Sequence, residues 1–385
     1  MMPTLEHAAT TAPSESVRAT IIDRLFSAPS DQEGNIISCF ENDVPEFIAA
    51  DMTRLYGSLY SSLPQFHIYT DGTDTSTYIV RKGGKPTTIF LFQHIDAGVT
   101  VVNEVIKVSE EEISRFSAYI FSSFPSVAFI SFKAVQTAIT RLSFPYQRSN
   151  CLEDIVLALP STIEQYFSSL GKHTRRNIKR QTKRVLAVFP TFRFQIFEKD
   201  EVDADTIRKI VDLNRARMAG KHKMSAINDE ETERLVRLAK ECGLVGVATI
   251  DGRVCAGGIN FRCGENYFLN VIAHDSTYDD YWMGILCCYL TICECIKRRG
   301  REFHFLWGQY DYKYALMGVQ RDLDNVAVYR SYWHLVLHSG HAFKMISGGY
   351  RRQLQLWFQK VKRRDNLLSR CATMVWSSLR NFRRL

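Results

Sequence analysis

Residues 76–132 and 244–306 run through the same succession of elements, and a chain that repeats one local order has few ways to fold. In the first stretch, Ser76-Thr-Tyr-Ile-Val-Arg-Lys-Gly-Gly-Lys-Pro-Thr-Thr-Ile-Phe-Leu-Phe92 reads as strand, glycine turn, strand. In the second, residues 244–261 do the same around Asp251-Gly252. Gly-Gly and Asp-Gly supply the left-handed backbone that two-residue hairpin turns require. A third strand follows each hairpin, at 99–106 and 266–272. A helical period comes next, at about 110–122 and 283–299, and a short strand closes each unit at 127–132 and 302–306. Repeats of this length predict two similar α/β (α+β) domains, each a mixed, mostly antiparallel sheet flanked by helices, and not a solenoid of many shorter units. The alternative is that two unrelated mixed α/β domains share a common hairpin-helix-strand order.

The 385 residues suffice for two domains, and a 45% hydrophobic content can fill two cores. The longest apolar run, 282–296, is too short to span a bilayer and carries Glu294. Residues 1–35 are rich in Ala, Thr, Ser and Pro without a basic-then-apolar start, so they read as a disordered leader and not a signal peptide. The ten cysteines are scattered, with no paired CxxC spacing, so no metal is expected. Four of them, Cys287, Cys288, Cys293 and Cys295, fall in one apolar helix, where a free thiol behaves as a small hydrophobe. Together these features predict reduced thiols and a cytoplasmic protein.

The net charge of +8 is uneven. Residues 350–385 hold ten Lys or Arg and one acid, a net +9, which leaves the rest of the chain near neutral. No basic core groove is indicated, so nucleic acid is not expected as a partner. The same tail mixes Trp357, Phe358, Trp376, Leu379 and Phe382 with its cations, a pattern suited to peripheral contact with an anionic inner-membrane face. It suits covering its own domain or docking a partner equally well.

Between the repeats, residues 161–185 read as a basic helix capped by Ser161 or Thr162, with Gly171 interrupting its pattern. It carries seven Lys or Arg from Lys172 to Arg184 and no acid between them. Such a run is either a solvated face or a face turned to an anion, with Arg175, Arg176 and Lys179 the candidates. Helices at 203–220 and 229–242 follow, separated by a basic, polar loop.

The second repeat carries the chemistry-bearing residues. Gly284 opens the helix at 283–299, where it would let a phosphate approach the helix N-terminus. Ile285, Cys288, Tyr289, Ile292 and Ile296 form its buried stripe. Gly257-Gly258, inside a strand, marks either a packing kink or a close backbone approach that would offer N–H donors to a carbonyl. After the closing strand comes Gly308-Gln-Tyr-Asp-Tyr312-Lys313.

This order, with Gly308-x-x-x-Tyr312-Lys313 behind the last core strand, resembles the GNAT N-acyltransferase superfamily. Within it, the chain looks most like the CelD-like branch associated with exopolysaccharide and cellulose biosynthesis. Leu170, Arg175, Arg176 and Asn177 are similar in type to that branch's inter-domain helix. Tandem GNAT-like halves are also shared with the Fem-type aminoacyltransferases. The chain departs from the usual pyrophosphate loop in keeping only Gly284, with Asp279 and Asp280 beside it.

The resemblance implies acetyl-CoA or another acyl-CoA as co-substrate, held by Gly257, Gly258, Gly284 and Ile285. It implies Lys313, Tyr312, Asp311 and His274 as catalytic candidates: Lys313 on a phosphate or acyl oxygen, Tyr312 donating to the leaving thiolate, and Asp311 or His274 as base. Gln309 joins Arg175, Arg176 and Lys179 on the substrate or anion side. The expected division is a leader at 1–35, a degenerate GNAT-like domain at 36–160, the basic helix at 161–185, the acyltransferase domain at 186–349 and the tail at 350–385. The expected activity is N-acylation of a sugar or small-molecule amine. The alternatives are a Fem-type transferase using an aminoacyl-tRNA donor, and a non-catalytic GNAT-like assembly subunit.

Overall fold

The computed structural model describes residues 34–70, 74–221, 223–345, 347–348 and 352. The leader at 1–33 and almost all of the 350–385 tail therefore lie outside the described residues. The hairpins form where their turn residues dictate. β2 (Thr75–Lys82) and β3 (Lys85–Ile95) join through Gly83 and Gly84 at φ +57° and +79°. β8 (Gly243–Ile250) and β9 (Arg253–Cys263) join through Asp251 and Gly252 at +50° and +74°. Both turns need two consecutive left-handed residues, which is why their composition is so restricted.

The remaining strands are β1 (Ile36–Phe40), β4 (Gly98–Val101), β5 (Phe129–Val135), β6 (Tyr146–Ala158), β7 (Arg193–Glu198), β10 (Asn266–His274), β11 (Glu302–His304) and β12 (Val319–Tyr329). All twelve form one sheet, in the order β1-β2-β3-β4-β5-β12-β6-β11-β10-β9-β8-β7. The order is a near mirror about its centre. Each half contributes five strands in sequence, and each contains one parallel pair, β4 with β5 and β10 with β11. The two central strands are exchanged. β6 follows β5 in the chain but pairs with β11, while β12 follows β11 but pairs with β5. The two then pair with each other along most of their lengths.

Helices cover both faces. In the first half, α1 (Ala49–Tyr56) and α2 (Leu63–Tyr69) lie on one face, with Met52, Leu63 and Phe66 packed on Ile79, Ile89 and Leu91. On the other face lies α3 (Glu110–Ser123), which begins with a Ser109–Glu112 capping box. It buries Ile113, Phe116 and Ile120 against Tyr78, Phe90, Phe92 and Phe132.

The second half repeats the arrangement. α6 (Ala204–Gly220) and α7 (Asp229–Cys242) cover one face through Ile207, Ile210, Val211 and Leu235. α8 (Met283–Lys297) covers the other, with Cys288, Ile292 and Ile296 on Tyr267, Phe303 and Phe305. A mixed α/β architecture of two similar halves flanked by helices is thus what the repeat predicted and what the chain forms, with the two halves sharing one continuous sheet.

Three local readings differ from expectation. The third strand of the first repeat ends at Val101, because residues 102–108 leave the ladder. The single basic helix at 161–185 is two helices, α4 (Ile163–Ser169) and α5 (Lys172–Val188), broken at Leu170, whose backbone is extended at ψ 146°. Of the tail, only Arg352 is described; its guanidinium pairs with Glu153. Among the described residues, no helix is long and apolar enough to cross a membrane, and no group of three or more His, Cys, Asp or Glu could hold a metal ion.

Candidate active site

The site begins where two parallel strands part. β10 and β11 pair at Asn266↔Glu302, Tyr267↔Phe303 and Phe268↔His304, and then β11 ends. β10 continues to His274 with β9 as its partner on the other side only. At the point of parting, the β9 register jumps from Leu269↔Asn260 to Val271↔Ile259, so Asn270 is an inserted bulge residue. A bulge adds twist and re-aims the strand beyond it, which opens the wedge.

The other wall of the wedge is the turn after β11. Leu306 takes φ +57° and Gly308 φ +92°, both left-handed. A leucine in that region costs roughly 1–3 kcal/mol and persists only when the surroundings over-determine it. They do so here through Lys313, which lies on α9 (Asp311–Ala315). Its Nζ donates to the carbonyls of Phe305, Leu306 and Trp307 at 2.8, 3.0 and 2.6 Å. The Gly308 N–H donates to Glu153 Oε1 at 2.9 Å.

Burial pushes the Lys313 pKa down to about 8, with Asp154 pulling the other way. Three carbonyls need three N–H groups, so the site is satisfied by the ammonium and not by the neutral amine. The signature Gly308-x-x-x-Tyr312-Lys313 is therefore built as a scaffold. Glycine makes the turn, lysine pins it, and Tyr312 is left against the cavity. Lys313 was expected on a phosphate or acyl oxygen, and its three protons are already placed.

Beyond the point of parting, beside the end of β10, lies a cavity of about 190 Å³. Ile272 and His274 of β10 line it, with Gly284 and Ile285 of α8 and Tyr312 opposite. Four residues singled out in the sequence, His274, Gly284, Ile285 and Tyr312, are thus brought together. The His274 Nε2 lies 2.7 Å from Asp279 Oδ1. Burial raises the Tyr312 phenol far above its ordinary range, so it stays a protonated donor. Trp282 precedes α8 in the left-handed region at φ +57°, and no side chain caps the helix. The first α8 N–H groups therefore face the cavity end without an intrahelical acceptor.

Sequence reasoning missed the cations here. Arg217, near the end of α6, lines the cavity, and Lys221 and Lys223 follow it. The Lys221 pKa is lowered, chiefly by Arg217, then by desolvation and Lys223. These like charges crowd one another beside a helix N-terminus; Asp279, which also lines the cavity, offsets part of the repulsion, and a bound anion would relieve the rest. The signal was present as the basic run after α6, which looked like an ordinary polar loop.

Other candidates lie elsewhere. Gly257 and Gly258 sit in regular β9 register, between β8 and β10. A Cβ on Gly257 would fall 2.4 Å from Ile210, so that glycine admits α6 to the sheet and does not serve a donor. Asp311 is exposed at the start of α9. Gln309 Nε2 donates to Gln320 Oε1 at 3.1 Å, toward β12. On α5, Arg175 donates to the Ser168 carbonyl, Lys179 lies over the Phe167 ring, and Arg176 is exposed. None of these three lines the cavity with His274 and Tyr312. α5 instead supports the site from behind, because Gln181 and Arg184 both donate to the Asp280 carbonyl in the turn before α8.

Beneath the bulge lies a buried polar cluster. His304 stacks on Phe268 at 4.3 Å, with Nδ1 2.6 Å from Asp154 Oδ2 and Nε2 3.4 Å from Glu302 Oε2. Arg321 grips Glu302 with both guanidinium nitrogens, at 2.6 and 3.0 Å. Burial works against the His304 charge, but hydrogen bonds to Asp154 and Glu302 outweigh it and raise its pKa.

The bulged strand β10, its parting from β11 and the uncapped N-terminus of α8 all lie within one stretch of the second half of the chain. Residues 172–314 match the acetyltransferase (GNAT) domain family. Among solved structures, FemX is similar at a TM-score of 0.54 and 8% identity, over 74% of this chain and 96% of FemX. A conserved protein of unknown function from Bacteroides thetaiotaomicron VPI-5482 gives 0.50 and 11%, over 75% and 99%. A tandem GNAT protein from the clavulanic acid biosynthesis pathway is also similar, at 0.40 and 8%, over 75% and 98%. At these identities the likeness concerns the fold. No curated protein sequence matches the chain.

Proposed function

We propose that this chain transfers an acyl group from an acyl-CoA to the amino group of a sugar or related small molecule, as a CelD-like acetyltransferase does in surface polysaccharide assembly. The observation that carries the reading is the parting of β10 and β11 near Asn270, with a cavity between the end of β10, from Ile272 to His274, and the N-terminus of α8. The residues present fit a thioester donor. The α8 N–H groups and Arg217 would hold its phosphates, and the unpaired edge of β10 would meet its amides. When bound, the donor supplies the activated carbonyl.

The protein's own groups do the rest. His274 sits at the helix end of the cavity, held by Asp279, and serves the anion end better than it serves as base. Tyr312, protonated at neutral pH, can give a hydrogen bond to a departing thiolate, which is then free to take up a proton released by the amine. Backbone N–H groups of β10 beyond the bulge, which have no β11 partner, would be available to stabilise negative charge on oxygen.

Calorimetric titration with acetyl-CoA and longer acyl-CoAs tests the reading, followed by thiol release in the presence of amino sugars. Absence of binding to every acyl-CoA would remove it. A second reading, a Fem-type transferase, is favoured by the outward basic face of α5, where Arg176, Lys179, Arg180 and Lys183 are exposed. Retention of aminoacyl-tRNA together with failure to bind acyl-CoA would select that reading. We place the protein in the cytoplasm, with the 350–385 tail touching the inner membrane face. Deleting the tail should then move protein from the membrane to the soluble fraction.

A further inference from the structure

The first half holds a counterpart of the parted strand pair, and there the chain closes it. β4 and β5 run parallel from Gly98↔Phe129 to Val101↔Phe132. Beyond Val101, the Val105 N–H donates to the Ala134 carbonyl at 2.9 Å, Gln136 to Ile106 at 2.8 Å, and Val108 to Gln136 at 3.0 Å. To make these bonds, Val105 and Ala134 adopt φ of +55° and +47°. A β-branched residue in that region is a true outlier, and such strain points toward a working site.

The residue this segment presents is Glu104. Its N–H donates to the Tyr60 carbonyl at 3.3 Å, and the Ser58 and Ser61 hydroxyls donate to its own carbonyl at 3.2 and 3.0 Å. The backbone is held from three directions. The carboxylate, by contrast, has no ion pair or hydrogen bond among the described residues. Burial raises its pKa, and Lys133 is the cation that pulls the other way.

Glu104 lines a cavity of about 160 Å³, together with Tyr60, Ser61, Gln65, Thr70 and Asn103. Asn103 is 1% exposed; its Oδ1 accepts the Leu91 N–H at 2.7 Å, and its Nδ2 has no partner. A half-buried carboxylate and a buried amide, both unmatched in one largely apolar cavity, are costly unless a ligand completes them. The cavity also adjoins the wedge. The Tyr60 ring lies 5.2 Å from Trp307 and 6.5 Å from Phe268, and the Asn270 amide approaches its phenol without a hydrogen bond of good geometry.

We propose that this cavity binds the amine-bearing ring of a small hydroxylated amine, an amino sugar in chemical class. The ammonium sits on the Glu104 carboxylate and a ligand oxygen accepts from Asn103 Nδ2. Ser61, Gln65 and Thr70 offer partners to hydroxyl groups, while Phe66, Leu91 and Val102 give the carbon face of a ring an apolar wall, a mixture that suits a sugar ring. The volume, below the roughly 300 Å³ of drug-sized pockets, suits a single ring. As the seat of the acyl acceptor, the site rests on the acyltransferase reading; as an amine site it does not.

The test is titration calorimetry of the full chain with glucosamine, glucose and N-acetylglucosamine, without any acyl-CoA. Glucosamine should bind at least tenfold more tightly than the two uncharged sugars. Glu104→Gln should abolish that difference and keep the wild-type affinity for acyl-CoA. Equal binding of the three sugars, no binding of glucosamine, or unchanged discrimination in E104Q overturns the proposal. A readout that needs no variant is protection of Glu104 from carbodiimide-driven amidation, followed by peptide mass spectrometry. Glucosamine should slow the labelling, and absence of protection counts against the site. Intact sugar discrimination with no acyl-CoA binding would leave the amine site standing and remove the acyltransferase reading.

Discussion

Gly284 and His274 approach so closely that a Cβ on the glycine would fall 2.8 Å from the histidine's Nδ1. The glycine is therefore fixed by two demands, an open helix start and the ring that fills it. Gly284→Ala should be destabilising despite the gain of up to about 1 kcal/mol that alanine normally brings to a helix. Overpacking of this kind costs roughly 1–3 kcal/mol. Thermal unfolding should show the loss, and acyl-CoA affinity should drop at least tenfold. A variant that is more stable and binds normally would show the contact to be unimportant.

Lys313→Met separates a scaffold lysine from a chemical one. Removing the ammonium leaves three carbonyls in a buried, left-handed turn without their donor. A loss of about 2–4 kcal/mol is expected in urea denaturation. Activity should fall because the wedge loses its wall. A variant as stable as the wild type but inactive would return Lys313 to the chemistry.

Arg217→Gln should weaken acyl-CoA binding about five- to tenfold, corresponding to about 1 kcal/mol for one partly screened charge contact. The affinity should also depend less on salt than in the wild type. Comparing titrations at low and high ionic strength checks both points.

The His304–Asp154–Glu302 cluster makes stability depend on pH from two sides. His304 has a folded pKa raised above its ordinary 6.5, so its contribution is complete below 6.5 and is lost as pH rises through the folded value. Glu302 is held down to about 2 from 4.5, first by its hydrogen bond to His304 and then, against burial, by Arg321. Its contribution is present above 4.5 and lost as pH falls toward 2. The two overlap most fully between 4.5 and 6.5. The urea midpoint of His304→Gln should differ most from the wild type in that window, and the gap should narrow toward alkaline pH. A gap independent of pH would assign His304 to packing on Phe268 alone.

Much of the framework was legible in local pattern. The turns at Gly83-Gly84 and Asp251-Gly252 follow from a backbone requirement that few residues meet. The helix at 283–297 follows from its apolar stripe, Ile285, Cys288, Tyr289, Ile292 and Ile296. The cavity residues His274, Gly284 and Tyr312 were legible because each stands at the end of an element. What escaped was non-local. Nothing in the sequence of β6 or β12 states which strand it will pair with. The Asn270 bulge is visible only as a register jump against β9. Lys313 was misread because its carbonyl partners belong to a turn whose left-handed shape only the fold reveals. Glu104 was missed because its isolation in a cavity is a property of Tyr60, Asn103 and Thr70 taken together.

The exchange of β6 and β12 has a consequence for how the molecule comes into being. A nascent chain that has finished its first half holds β6 with no neighbour to receive it, and β5 lacks a companion until β12 is made more than 180 residues later. Neither half can complete its hydrogen-bonded ladder before the other is synthesised. Contacts so distant along the chain make folding slow and leave strand edges bare meanwhile. An early stop therefore yields an unfinished sheet and not a free-standing half, because the strand that completes each half's ladder comes from the other.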